Sequence, residues 1–252
     1  MILIKTEDEV KRMKESADIL SRTFGIIKEM MKPGVRTIEI DNEAEIFIRK
    51  NGAVPSFKGY KNYPATLCIS VNNQVVHGIP SNYMLREGDI VSVDGGVYYK
   101  GYHSDMAYTF VIGNIPQITQ KLIDVTKEAL YLGIKMVRDG VRIGDLGNTI
   151  QKHVENNGFS VVRELVGHGI GKSLHESPQV PNFGIKGKGV MLKEGMTIAI
   201  EPMVNMGKKD VLTASDGWTV VTKDGLPSAH FEHTVLIKKY ESEILTSYKY
   251  IE

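Results

Sequence analysis

The sequence predicts one α+β domain made of two similar αβ halves, roughly residues 1–115 and 116–252, with a site between them. Three observations lead there. Helix-period segments fall in two pairs, each followed by strand-like runs. A stretch of the first half is echoed, in order, in the second. No linker-like segment separates the halves, and 252 residues suffice for one large, well-buried core.

The elements follow from local patterning. Thr6 to Glu9 has the form of a capping box, and behind it Val10, Met13, Ala17, Leu20, Phe24, Ile27 and Met31 recur at steps of three and four. That is one apolar stripe on a helix, stopped by Pro33-Gly34. A second helix is expected from Thr37 to Asn51-Gly52, a third from Pro116 to Asp139-Gly140 and a fourth from about Ile143 to Asn157-Gly158. Strands are expected near 67–77, 89–99, 103–113, 161–168, 196–206, 217–222 and 230–238.

The echo has three parts. "PGVRTIEIDNEAEIFIRKNG" (33–52) sets beside "DGVRIGDLGNTIQKHVENNG" (139–158), and His77-Gly-Ile returns as His168-Gly-Ile. "LREGDIVSVD" (85–94) returns as "LKEGMTIAIE" (192–201), which lays Asp94 over Glu201. One match is what chance supplies; three in order favour a duplicated unit.

Composition excludes several classes. At 42% apolar and 24% charged residues the chain reads as globular, and 31 basic against 30 acidic residues give no global attraction to nucleic acid or anionic membrane. One cysteine, Cys68, rules out an internal disulfide. The N-terminus lacks the apolar segment of a signal peptide, and no run approaches membrane-spanning length, so a cytoplasmic protein is expected.

The stretch "SVDGGVYYKGYHSDMAYTF" (92–110) reads as strand, turn and strand, with Asp94 and Asp105 inside core-like runs. A two-residue loop at Tyr99-Lys100 or Lys100-Gly101 puts the two carboxylates on one face, directly opposed or one diagonal step apart. A three-residue loop puts them on opposite faces. Like charges side by side destabilise a sheet, so the pair is either solvated or shares a cation. Further ligand types follow: His168 and His175 in "GHGIGKSLHESPQ", Glu201 ending an apolar strand, and Glu232 in "HFEHTVLI". Singly, each has a plain structural reading, as a hydrogen-bonded histidine or a solvated strand carboxylate. Together, four carboxylates would be neutralised by two divalent cations, and oxygen donors with one imidazole suit Mn, Fe, Co or Zn.

On these residues the chain resembles the type I methionine aminopeptidases, short bacterial form, of the M24 metallopeptidases, whose pita-bread fold is shared with prolidases and aminopeptidases P. The resemblance spans essentially all 252 residues through "VDGG…GYHSD", "GHGIG", "IEP", "EHT", "HGIP" and "HESPQV". It implies two pseudo-symmetric αβ halves with a central antiparallel sheet covered by helices. It implies the metal ligands Asp94, Asp105, His168, Glu201 and Glu232, with Asp105 and Glu232 bridging two divalent ions (Fe, Mn, Co or Zn). It further implies catalytic roles for His77, His175 and Glu201: a metal-bridging water as nucleophile, Glu201 as general base then acid, His175 on the oxyanion and His77 on the scissile amide or product. Absence of a cysteine-rich extension and of an extra helical insert between Glu201 and Glu232 points to the short form. The pattern departs at Gly96, where many relatives carry a small polar residue bearing on metal affinity. It departs again at Val76, where some carry cysteine, with an expected effect on pocket shape.

A methionine side chain requires an apolar pocket, for which Phe57, Tyr60, Tyr63 and Trp218 are candidates alongside His77 and His175. Cys68 is expected in the core rather than in the pocket wall, and His103, His153, His230 and His233 are taken as structural. The implied substrates are nascent polypeptide N-termini with a small second residue, with the ribosome a candidate partner. A monomer with no nucleic-acid or membrane site is expected. A prolidase-type enzyme and a non-catalytic binding protein of the same fold are the alternatives. Cleavage of Xaa-Pro peptides would mark the first, and inactivity with metal loaded the second.

Overall fold

Four α-helices, one short 3-10 helix (Tyr60–Asn62) and fifteen strands, most of them short, make up a computed structural model that describes residues 2–252. Helix α1 spans Glu7–Met30, and its capping box is formed: Thr6 Oγ1 accepts from the Glu9 amide, and the Glu9 carboxylate accepts from the Thr6 amide. Such a cap is worth about 1 kcal/mol. The stripe predicted from its period buries Met13, Ala17, Leu20, Phe24 and Ile27 completely. Helices α2 (Thr37–Lys50), α3 (Gln117–Met136) and α4 (Ile143–Asn156) begin within a residue of their expected starts and end up to a few residues early. The echoed Gly-Val-Arg segments adopt one local design twice. Arg36 and Arg142 are the N-caps of α2 and α4, and each bridges an antiparallel partner, Met84 and Met191 respectively.

The main sheet has nine strands, all antiparallel to their neighbours. Its centre is the hairpin Ile90–Tyr99 and Tyr102–Val111, followed in space by Glu232–Ile237, Thr197–Ile200, Gly167–Gly169 and Glu176–Val180. Leu67–Val71 pairs with Ile90–Tyr99, and two small three-stranded sheets flank the main one. Leu20, Phe24, Ile27, Leu122, Leu130 and Ile150 belong to one core cluster with Val93, Met106, Ile198 and Val235 of the sheet, so the helices cover it.

Several expected strands are shorter than their apolar runs. A turn at Asn72-Asn73 splits 67–77 into Leu67–Val71 and Gln74–Val76, with Asn72 at φ 55°. The run 196–206 breaks at Glu201-Pro202, where proline has no amide to give the ladder, and 161–168 forms only Ser160–Val161 and Gly167–Gly169. Val54–Pro55, Glu176–Val180, Val211–Thr213 and Ser242–Ile244 were not anticipated, being too short or too polar to show alternation. Among the described residues no helix is long and apolar enough to cross a membrane.

Candidate metal centre and substrate cavity

The hairpin turn has two residues. Tyr99 pairs with Tyr102, leaving Lys100 (φ 49°) and Gly101 (φ 87°) as the turn, the positive-φ pair that matches strand twist. Asp94 therefore pairs with Ala107, and Asp105 with Gly96. The two carboxylates lie one diagonal step apart on the same face.

The register extends this arrangement across the sheet. Cys68 pairs with Asp94, Asp94 with Ala107, and Ala107 with Glu232, so one row of same-face side chains crosses four strands. Ile200 pairs with His233, which brings Glu201, one residue on, beside Glu232. The small Ala107 between the two acids leaves the space into which they converge. His168 arrives from the strand beyond, its Nε2 3.7 Å from Asp105 Oδ2 and 3.6 Å from Glu201 Oε1.

All five expected ligands thus meet in one place, and their state fits a divalent cation. Asp105 and Glu232 are buried, whereas Asp94 and Glu201 are half-buried because they open onto a cavity. Asp94 Oδ1, Asp105 Oδ1 and Glu232 Oε1 are buried without a hydrogen-bond partner. Burial pushes the Asp94 carboxyl up to about 7. Asp105, Glu201 and Glu232 rise well above the carboxylate range, through burial first and then through the charges of their acidic neighbours. Such crowding is costly without a counter-charge. His168 Nδ1 lies 2.8 Å from the Gly169 carbonyl oxygen; a carbonyl only accepts, so Nδ1 carries the proton and the Nε2 lone pair faces the carboxylates. Burial lowers its pKa to about 4, which keeps the ring neutral. Asp105, His168 and Glu232 offer three donor atoms mutually within 4.8 Å. The cluster suits a divalent metal ion.

Over the cluster lies a cavity of about 160 Å³. The expected Phe57, Tyr60, Tyr63, Trp218, His77 and His175 all line it. Tyr63 meets Trp218 edge to face, with ring centres 5.1 Å apart. Tyr60 stacks on His175, and its hydroxyl lies 3.0 Å from His175 Nδ1. His175 reaches solvent at one side. Burial of its ring first, then the nearby His168 and Lys61, hold its pKa below the usual imidazole value. His77 sits at φ 59°, and burial lowers its pKa below the usual imidazole value.

Three expectations change, at Cys68, Val76 and His230, and the packing at Gly96 adds a steric constraint. Cys68 lines the cavity, although it is also buried, because it shares the face of Asp94. Val76 does not line it; it packs with Val75, Val162, Met203 and Val220. Gly96 has no room for a side chain: a Cβ there would lie 2.8 Å from Ser56 Cβ and 3.0 Å from Phe57 Cε1. His230, taken as structural, faces the cluster, its Nε2 3.8 Å from Glu201 Oε2. A signal existed for it, since His230 stands two residues before Glu232, the spacing that shares a strand face. Lys61 and Leu174 also line the cavity, and no pattern marked them.

The profile of Metallopeptidase family M24 matches residues 11–239. The chain is 54% identical to methionine aminopeptidase of Clostridium perfringens, covering 99% of this chain and 100% of that protein. It is 49% identical to methionine aminopeptidase 1 of Bacillus subtilis, covering 98% and 99%. The crystal structure of methionine aminopeptidase from Thermotoga maritima superposes with a TM-score of 0.97 at 44% identity, over 98% of this chain and 100% of that one. The Pyrococcus furiosus prolidase shares the fold alone, with a TM-score of 0.80 at 24% identity over 97% of this chain and 65% of that one.

Proposed function

Because the chain belongs to metallopeptidase family M24, and within it to the methionine aminopeptidases, we propose that it removes N-terminal methionine from peptides and nascent proteins by metal-dependent hydrolysis. The observation that carries the reading is the convergence of four carboxylates and one unprotonated imidazole nitrogen on the floor of an aromatic-walled cavity.

Asp94, Asp105, His168, Glu201 and Glu232 would hold two divalent ions (Fe, Mn, Co or Zn), the four carboxylates offsetting their charge. Bound there, the ions lower the pKa of water and polarise the scissile carbonyl. Glu201 takes the proton from the attacking water at its carboxylate and returns it to the leaving amine. His175, its Nδ1 engaged by the Tyr60 hydroxyl, presents Nε2–H to the developing oxyanion. His77, half-buried in the cavity wall and with its pKa lowered by burial, accepts from the scissile amide N–H. Phe57, Tyr63, Trp218, Leu174 and Cys68 enclose the methionine side chain, whose thioether is suited to aromatic edges. A small second residue is preferred. The reading extends to a single 252-residue catalytic domain acting in the cytoplasm as a monomer, on nascent chains at or near the ribosome.

The test compares Met-Ala and Xaa-Pro peptides with metal-depleted and metal-loaded protein. Metal-dependent release of methionine from Met-Ala only, reduced at least about 10²-fold in Glu201→Ala, is expected. Cleavage confined to Xaa-Pro, or unchanged hydrolysis by Glu201→Ala, contradicts it.

A further inference from the structure

His230 lies outside the five-residue set, yet its ring is built into the same site. The residue is 1% exposed, and neither Nδ1 nor Nε2 has a hydrogen-bond partner. At 3.8 Å, the separation from Glu201 Oε2 is too long for a hydrogen bond. One ring nitrogen and one oxygen each from Glu201 and Glu232 lie within 4.8 Å of one another. Glu232 thus belongs to two three-donor groups, with Asp105 and His168 on one side and with Glu201 and His230 on the other.

The backbone of His230 is fixed where this geometry needs it. Thr109 Oγ1 accepts from the His230 amide at 2.9 Å and donates to its carbonyl at 2.8 Å, and His230 pairs with Met203 just beyond Glu201-Pro202. Burying an imidazole with both nitrogens unpaired is costly, because neither recovers the hydrogen bond it made to water. Core packing accounts for the ring's burial but not for its being polar, or for its lying against Glu201 and against Glu232, whose Oε1 is likewise buried without a partner. Ligation satisfies all three residues at once.

We infer that His230 is a metal ligand, which with Glu201 and Glu232 takes a divalent cation of the Fe(II), Co(II) or Zn(II) type, as the counterpart of Asp105–His168–Glu232. The inference rests on the divalent-metal reading of the cavity and adds a second imidazole to it. Imidazole nitrogen strengthens Co(II) and Zn(II) binding more than Mn(II) binding, so His230 biases the centre away from Mn(II).

Proton NMR of the full-length protein loaded with two equivalents of Co(II) tests this without reference to activity. Each coordinated histidine contributes one strongly shifted, exchangeable ring N–H signal. Two such signals are expected, one lost in His168→Gln and the other in His230→Gln. Competition titrations are expected to show His230→Gln binding one Co(II) equivalent about 10–100-fold more weakly, with a smaller change for Mn(II). A single shifted signal, lost in His168→Gln, overturns the inference and leaves the metal reading standing. Two signals that both persist in His230→Gln overturn it as well. No shifted signal at all overturns both. If His230→Gln does not fold, as judged by circular dichroism, the wild-type count still decides, with the second signal assigned through its proximity to Met203.

Discussion

Asp94 and Asp105 sit one diagonal step apart on the same face of their hairpin, because Asp94 pairs with Ala107 and Asp105 with Gly96 across a two-residue turn. In the metal-free protein this is a liability, since burial opposes charge on either carboxyl and the two repel. Removing one charge should therefore have opposite effects in the two states. Asp94→Asn is expected to stabilise chelator-treated protein by about 1 kcal/mol, roughly 2–4 °C in Tm. It is expected to weaken metal binding at least about tenfold. Calorimetric melts with and without metal check both signs, and a variant less stable than the parent in chelator would refute the crowding argument.

Tyr60 holds His175 by a 3.0 Å contact to Nδ1 and by stacking. Tyr60→Phe keeps the ring and removes the hydroxyl. Without it the imidazole loses the partner that selects its tautomer, and kcat on a Met-Ala peptide is expected to fall about tenfold with KM changed much less. A change confined to KM would mean that Tyr60 serves only as a wall.

Gly96 is small because Ser56 and Phe57 occupy the space its side chain would need. Gly96→Ser is expected to destabilise by about 1–3 kcal/mol, as overpacking does. Combining it with Ser56→Gly should cost less than the sum of the single changes, since the clash is then relieved. Denaturant unfolding of the three variants measures the coupling; strict additivity would place the cost elsewhere.

Asp41 ties α2 to the first strand of the site. Its Oδ1 accepts from the amides of Thr66 at 3.0 Å and Leu67 at 2.7 Å, and it is 3% exposed. Burial outweighs these bonds and raises its pKa from 3.8 to about 6. A raised carboxyl pKa means that the folded state favours the protonated form. That stabilisation is full below pH 3.8 and is lost as pH rises through 6, a difference of about 3 kcal/mol. Asn keeps the accepting oxygen and cannot ionise. Asp41→Asn is therefore expected to gain on the parent as pH rises from 4 to 7, read from Tm at each pH, whereas a constant difference would show that Asp41 does not titrate in this range.

Periodicity along one segment was enough to find α1 and its cap, because the 3.6-residue repeat and the Thr6–Glu9 exchange depend only on neighbours in the chain. The same holds for the parity that puts Asp94 and Asp105 on one face once the turn has two residues. Order and flanking residues then singled out His168, Glu201 and Glu232, and the folded chain brings them beside the hairpin.

Other features had no local trace, because they arise where distant segments meet. Alternation shows that side chains divide between two faces, but not which face a curled sheet turns toward a cavity; hence nothing local showed that buried Cys68 also lines the cavity, or that Val76, expected to affect the pocket's shape, packs away from its lining. The emptiness required at Gly96 is set by Ser56 and Phe57, forty residues earlier in sequence. His230 shares the two-residue spacing with Glu232, yet its aim at Glu201 follows from pairing with Met203 after the chain breaks at Pro202. Backbone geometry fixes patterns over a few residues. Which groups become neighbours, and which buried polar atoms are left in need of a partner, is set only when sheet register and helix packing bring remote residues together.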